Sequence, residues 1–207
     1  AAAAAAATAP PPSDKRRRRL PLPKSFRDQV HGQIELPGAC VAIIDTPQFQ
    51  RLRSLKQLGS AYFVFPGASH NRFEHCLGVS WLAGSWVRHL RAAQPELNLT
   101  DADVLAVEVA GLVHDLGHGP FSHTFDGLFV PRTRPDIANT FTHEDMSVRL
   151  FDELLRDNNI DLRLFGLDDT DVRFVREAIL GKKLRGGIAA RAGRPPHLWF
   201  LYDIISN

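Results

Sequence analysis

Several things are scarce in this 207-residue chain, and each scarcity excludes something. It holds only two cysteines, Cys40 and Cys76. That is too few for a disulfide framework, so both are expected as buried thiols in a reducing compartment. No apolar run approaches the ~20 residues needed to cross a bilayer, and no secretory hydrophobic segment opens the chain. A membrane partner is therefore not expected. Met146 is the single methionine. The start lacks one, and the final "FLYDIISN" stops within an apolar-periodic stretch, so the chain reads as a piece cut at both ends. There is no internal repeat. A domain-wide basic excess is also missing. The formal charge is +2, but residues 1–24 hold six of the 25 Lys/Arg and one of the 23 Asp/Glu, leaving 19 basic against 22 acidic residues beyond them. A broad phosphate-tracking face for nucleic acid is not indicated.

What is present divides the chain in two. Residues 1–23 form a low-complexity Ala/Pro/Arg tail that cannot bury a core and is expected to be disordered. Its "KRRRR", Lys15–Arg19, fits a nuclear-import patch, which predicts a nuclear protein, with cytoplasm as a second location. A merely solvated basic linker is the plainer alternative. Residues 24–207 suffice for one domain with its own core. Their pattern is mostly helical. "DTPQFQRLRSLKQLG" predicts a helix capped by Thr46, with Pro47 at its first position and Gly59 past its end. "NRFEHCLGVSWLAGSWVRHL" spaces Leu82, Trp86 and Leu90 along one face, and the tryptophans are expected in the core. Thr100 and Asp103 mark a capping box before Leu105, Val109 and Leu112. "THEDMSVRLFDELL" repeats the device, with Met146, Leu150 and Leu154 as its stripe, and "DTDVRFVREAILG" predicts a helix ended by Gly181. Strands are expected at "QIEL" and "AYFVF", and residues 181–196 as a mobile loop.

The chemistry concentrates in "HDLGHGPFSH", His114–His123. His114 and Asp115 end an apolar helix before a glycine-broken turn, where imidazole nitrogen and carboxylate oxygen together suit a first-row divalent metal. His75 falls in the first turn of another predicted helix, one turn after Arg72 and on its face. A metal ligand beside a guanidinium suits phosphoryl chemistry, since the ion activates water or polarises phosphorus while Arg holds phosphate oxygens. A lone His-Asp pair is a weak signal, and a satisfied pair at a helix end with no cation is the bland alternative. Arg72, His75, His118, His123, Asp126 and His143 sharpen it, because they add groups that bind phosphate or donate a proton. Cys76 is expected in the core and His89 on the surface. His31 and His197 are given no role.

The blocks "FPGASHNRFEHCLGV", "AGLVHDLGHGPFSHTFDG" and "IIDTPQFQRLRSLKQLG" closely resemble the HD-domain phosphohydrolases, in particular those that hydrolyse deoxynucleoside triphosphates. The resemblance covers roughly residues 24–180 and 196–207. It implies an all-α HD-type helical fold with small β-hairpin additions. It implies His75, His114 and Asp115 as ligands of a zinc, iron, manganese or magnesium ion, and Arg72 on the substrate phosphates. His118, His123 and His143 would line the triphosphate, with His123 the general acid and Asp126 its partner. Gln57 and Leu58 would meet the deoxyribose. Asp45, Gln50 and Arg53 would read a guanine nucleotide, GTP or dGTP, in a separate activating site that Lys24 reaches. Val64 and Phe65 would flank a second activating deoxynucleotide. The implied activity releases deoxynucleoside and inorganic triphosphate in a nucleotide-assembled homotetramer, with roles in deoxynucleotide pool control and antiviral restriction. Another HD-type phosphatase or nuclease, and a non-catalytic form that scaffolds or binds single-stranded nucleic acid, are the alternatives. Ser25 and Arg27 depart from the family pattern, which expects an apolar residue and an Asn. The family's last metal ligand is an Asp in a segment after Asn207, so this chain alone is expected to release no triphosphate.

Overall fold

The structure is a computed structural model that describes residues 19–138, 140–181, 184 and 190–206. The tail through Arg18, most of the import patch and much of the 181–196 segment lie outside the described residues.

A hairpin comes first. β1 (Lys24–Asp28) pairs antiparallel with β2 (Gly32–Leu36), Phe26 opposite Ile34. Asp28 makes the turn by accepting from the backbone N–H groups of Val30 and His31 at 2.8 Å each, and Gly32 takes φ +76°, which a residue without Cβ adopts freely. Ile34 and Leu36 are fully buried, which seats this small sheet on the helices.

The "QIEL" strand therefore stands, and its partner is Lys24–Asp28. "AYFVF" is not a strand. Residues Gly59–Phe63 form a 3-10 turn whose Phe63 is exposed. The β-branched and aromatic composition suggested a sheet, but among the described residues no second strand pairs with it. The helix expected over Thr46–Leu58 is also shorter. Thr46 caps it and Pro47 opens it, giving α2 (Pro47–Gln50), but the chain then tightens into a 3-10 turn at Arg51–Ser54.

Of the remaining helices, the four longest stand where their sequence patterns put them. α1 (Gly38–Ile44) is almost wholly buried. α3 (Arg72–Ala93) begins where Glu74 accepts from the backbone N–H of Asn71. α4 (Asp101–Val113) opens with the Thr100–Asp103 capping box. α5 (Val130–Thr133) follows a π-helical turn at Phe125–Phe129. α6 (His143–Asp157) is capped by Thr142, and α7 (Asp169–Leu180) by Asp168 with Asp171, ending at Gly181, φ +51°. α8 (Phe200–Asp203) closes the described chain. α4 is the central post. Its Ala106, Val109, Leu112 and Val113 are fully buried between α3 and α7, and α6 packs on α7 through Phe151 and Leu154. α3 meets α4 through small residues: Ser80 donates to the carbonyl of Glu108 at 2.8 Å, and Gly111 lies against the Ser80 backbone.

Two expectations change. Trp86 is 53% exposed and Leu82 52%, so this face of α3 is not core. Residues 190–196 are tied down: the N–H groups of Ala192 and Gly193 bond the Glu177 carboxylate, and Arg194 is buried between Asp103 and Asp171, 2.6 Å from each.

Candidate metal and phosphate site

The site forms where α3 begins and α4 ends. These two ends are neighbours because the helices run against each other. Arg72 and His75 occupy the first turn of α3, and His114 follows the last residue of α4 as its cap. The chain then turns at Asp115–Gly117 against the start of α6. Gly117 permits that approach, because a Cβ there would overlap the carbonyl of His143 and the N–H of Ser147. Ser147 stitches the two segments, accepting from Gly117 N at 2.8 Å and donating to the His114 carbonyl at 2.7 Å.

Asp115 is the hub. It is 6% exposed, and its Oδ2 accepts from Arg72 Nη1. The Nε2 atoms of His75 and His114 each lie 3.3 Å from that same oxygen, and His118 Nε2 lies 3.3 Å from Oδ1. Burial alone would raise the Asp115 pKa, but the imidazoles of His114, His118 and His75 gathered around its oxygens overcome this and hold it far below the ordinary carboxylate range.

The donor set fits a divalent cation. His114 Nδ1 sits 2.8 Å from the Gly111 carbonyl, which can only accept, so Nδ1 carries the proton. In the neutral ring the Nε2 lone pair then faces a carboxylate oxygen. Two acceptors facing one another need a proton or a cation between them. The ligating atoms of His75, His114 and Asp115 all fall within 4.8 Å of one another. Ligand atoms ~2.1 Å from one ion sit about 3.0–3.4 Å apart, which the His–Asp separations match. The backbone bond of His114 also fixes ring orientation, as outer-shell partners of metal-bound histidines do.

Beside this set lies a second cluster. His118 is 1% exposed and stacks on His143 with ring centroids 4.0 Å apart. His123 meets both rings edge-on. Neither ring nitrogen of His118 has a well-aligned hydrogen bond, and Asp126 Oδ1 is buried without one. Burial lowers the His118 pKa, against the opposing pull of Asp115. Asp126 makes its close contact with His143, Nδ1 to Oδ2 at 2.7 Å, while His123 Nδ1 stands 4.0 Å from Oδ1. His123 is the outermost of the three, its side chain 72% exposed.

Three supporting residues carry no sequence signal. Arg51 donates to the carbonyls of Leu116 and His118, clamping the turn. Ser122 accepts from Arg72 Nε at 3.2 Å and lies 2.9 Å from the Lys56 carbonyl and 3.0 Å from that of Gln57. Ser147 is the third. Gln57 is part-buried, with its Oε1 unpartnered, and Leu58 is exposed.

The other expected residues lie elsewhere. Asp45 is exposed after α1 and lines a cavity of about 230 Å³ with Arg19, Thr46 and Asp161. Gln50 donates to the Ile44 carbonyl and accepts from Arg53, whose guanidinium covers the Phe73 ring. Lys24 starts β1, beside Phe26. Val64 and Phe65 are exposed next to Phe63. Cys40 and Cys76 are fully buried, and burial pushes both thiols up.

A family model described as "HD domain" matches residues 72–192. The chain belongs to the HD-domain family. Curated relatives named deoxynucleoside triphosphate triphosphohydrolase SAMHD1 are similar to it: 51% identical over 190 residues in Homo sapiens and 50% over 195 in Mus musculus. A Dictyostelium discoideum protein named as a homolog of SAMHD1 is 42% identical over 184 residues. These alignments take in 89–91% of this chain but 29–32% of the relatives, so the HD-domain chain spans about a third of their length.

Proposed function

We propose that the protein hydrolyses deoxynucleoside triphosphates to the deoxynucleoside and inorganic triphosphate. The observation that carries this reading is the junction at Asp115: one buried carboxylate holds Arg72, faces the two histidines of a metal set, and touches the histidine cluster beyond. The names of the relatives supply the substrate class.

A divalent ion held by His75, His114 and Asp115 would supply Lewis-acid polarisation and an activated water. Arg72 spends Nη1 on Asp115 and Nε on Ser122, leaving the rest of its fork for phosphate oxygens. His118 and His143 line the neighbouring wall. Asp126 holds the His143 ring by its Nδ1, which aims Nε2 at the ligand. His123 stands outermost and is the group we assign to protonate the departing 5′-oxygen. Gln57 and Leu58 would pack the deoxyribose, where a 2′-hydroxyl adds an atom to fit. A guanine nucleotide at Asp45, Gln50 and Arg53, reached by Lys24, a second nucleotide near Val64 and Phe65, and assembly into a tetramer belong to the same reading. Gln50 and Arg53 would exchange their mutual bond for the base.

The test incubates the full-length protein with each deoxynucleoside triphosphate, with and without GTP, and separates the products by ion exchange. Deoxynucleoside and triphosphate in equal amounts are expected. Monophosphate with pyrophosphate, or release from nucleic acid only, would replace this reading with another phosphohydrolase. No turnover with metal bound would favour a scaffold.

A further inference from the structure

We infer that Ser122 is a positioning residue, which holds the Arg72 guanidinium in its phosphate-binding pose and ties it to the segment carrying Gln57 and Leu58. The inference deepens the proposed reading and rests on it for the identity of the bound group.

The geometry is unusual at three points. Ser122 lies in the left-handed region, φ +53°, and so does Phe121 before it, φ +62°. Two consecutive side-chain-bearing residues rarely adopt this conformation without a compensating demand. Gly59 makes room, since a Cβ there would stand 2.9 Å from the Phe121 carbonyl oxygen. The strained pair turns Ser122 inward, leaving it 4% exposed while Phe121 is 53% exposed.

Inside, the hydroxyl meets three groups. It can give one hydrogen bond and accept two. The Lys56 and Gln57 carbonyls can only accept, so the proton goes to them, at 2.9 and 3.0 Å. Arg72 Nε, which can only donate, uses a lone pair at 3.2 Å. The directions are thus forced. A guanidinium held at Nη1 alone can swing about that bond. A second hold at Nε fixes its plane, and with it the direction of the remaining N–H groups. Arg72 is itself 1% exposed and its backbone N–H is bonded to the Leu55 carbonyl at 2.8 Å, so the segment 55–57 meets Arg72 at two places.

The strain makes the test clean. Ser122→Gly removes the hydroxyl while relieving the positive φ, so it should lower the melting temperature less than Ser122→Ala does. Ser122→Ala removes the hydroxyl and keeps the strain. In full-length protein, both variants should bind inorganic triphosphate about tenfold more weakly by calorimetry, as for loss of a bond orienting a charged group. Metal content should stay unchanged, and turnover of deoxyguanosine triphosphate should fall by at least as much. A double-mutant cycle separates positioning from packing. In an Arg72→Lys background, Ser122→Gly should have almost no further effect on triphosphate affinity. Wild-type affinity in Ser122→Gly, or full additivity with Arg72→Lys, would overturn the inference. If wild type binds triphosphate but turns over no deoxynucleotide, the functional reading fails while the affinity cycle still decides the role of Ser122.

Discussion

Asp115 concentrates more interactions than any other side chain in the site. Replacing it by Asn removes the charge that holds Arg72 and offers an N–H₂ to the histidines in place of an oxygen. Asp115→Asn is expected to empty the metal site and reduce triphosphate release about 10²-fold or more. Elemental analysis beside a turnover assay checks this, and a variant that keeps its full metal complement would remove Asp115 from the ligand set. Asp45→Asn makes the contrasting case. Its carboxylate can accept from both the ring N–H and the amino group of guanine, whereas an amide cannot accept both. The variant should retain metal and lose stimulation by guanosine triphosphate; undiminished stimulation would place the activating site elsewhere. At this scale the sequence was uneven. His75, His114, Asp115 and Arg72 stood out because histidine is rare and helical spacing puts Arg72 and His75 on one face. Ser122, Ser147 and Arg51 did not. Serine and arginine are common, and their roles come from loops brought together over long separations, which no local pattern records. The pairing of Asp126 was likewise invisible, since His123 is near it in sequence but His143 is the closer partner in space.

The α3–α4 contact carries a cost that pH exposes. Glu108 on α4 is 4% exposed, packed over Gly84 of α3 and bonded by Arg88 at 2.6 Å. Burial raises its pKa above the ordinary 4.5, more than Arg88 lowers it. A carboxyl with a raised folded value favours folding when protonated. That contribution is fully present below the unfolded value and is lost as pH rises through the folded one. Glu108→Gln, which keeps shape and one bond to Arg88, should therefore gain melting temperature relative to wild type as pH rises from about 4.5 upward. Parallel melting curves would show that Arg88 fully compensates the burial. At the other end of α4, Gly117→Ala should destabilise by about 2 kcal/mol or more, because its methyl group pushes the turn away from α6. Urea titration measures the loss, and an unchanged midpoint would mean that the turn and α6 separate readily. Helices α4 and α6 were legible because cap and apolar period agree in each, and α7 because Gly181 marks its end. "AYFVF" misled, since a strand needs a partner and composition cannot supply one.

At the scale of the whole molecule, one apolar surface lies open beside the candidate metal set. Leu82 and Trp86 of α3 form, with Phe200, Ile204 and Ile205, an open groove of about 860 Å³ that reaches His75 and His114. Exposed apolar patches of this kind promote association. Changing both Leu82 and Trp86 to Lys should suppress self-association of the 207-residue chain in sedimentation velocity while its melting temperature changes little. Persisting oligomers would move the contact to another face. The periodicity of α3 revealed that Leu82 and Trp86 share a face, but not that the face stays open.

Arg194 has a different reach. Asp103 and Asp171 are the third residues of α4 and α7, each bonding back to its own cap, and one guanidinium lies between them. Two helix starts that would ordinarily fray independently are thereby fastened to a single rivet. Opening either one strands a buried charge in the other. Amide protons at the two helix starts should exchange with deuterium at one shared rate, and in an Arg194→Met protein they should separate into two.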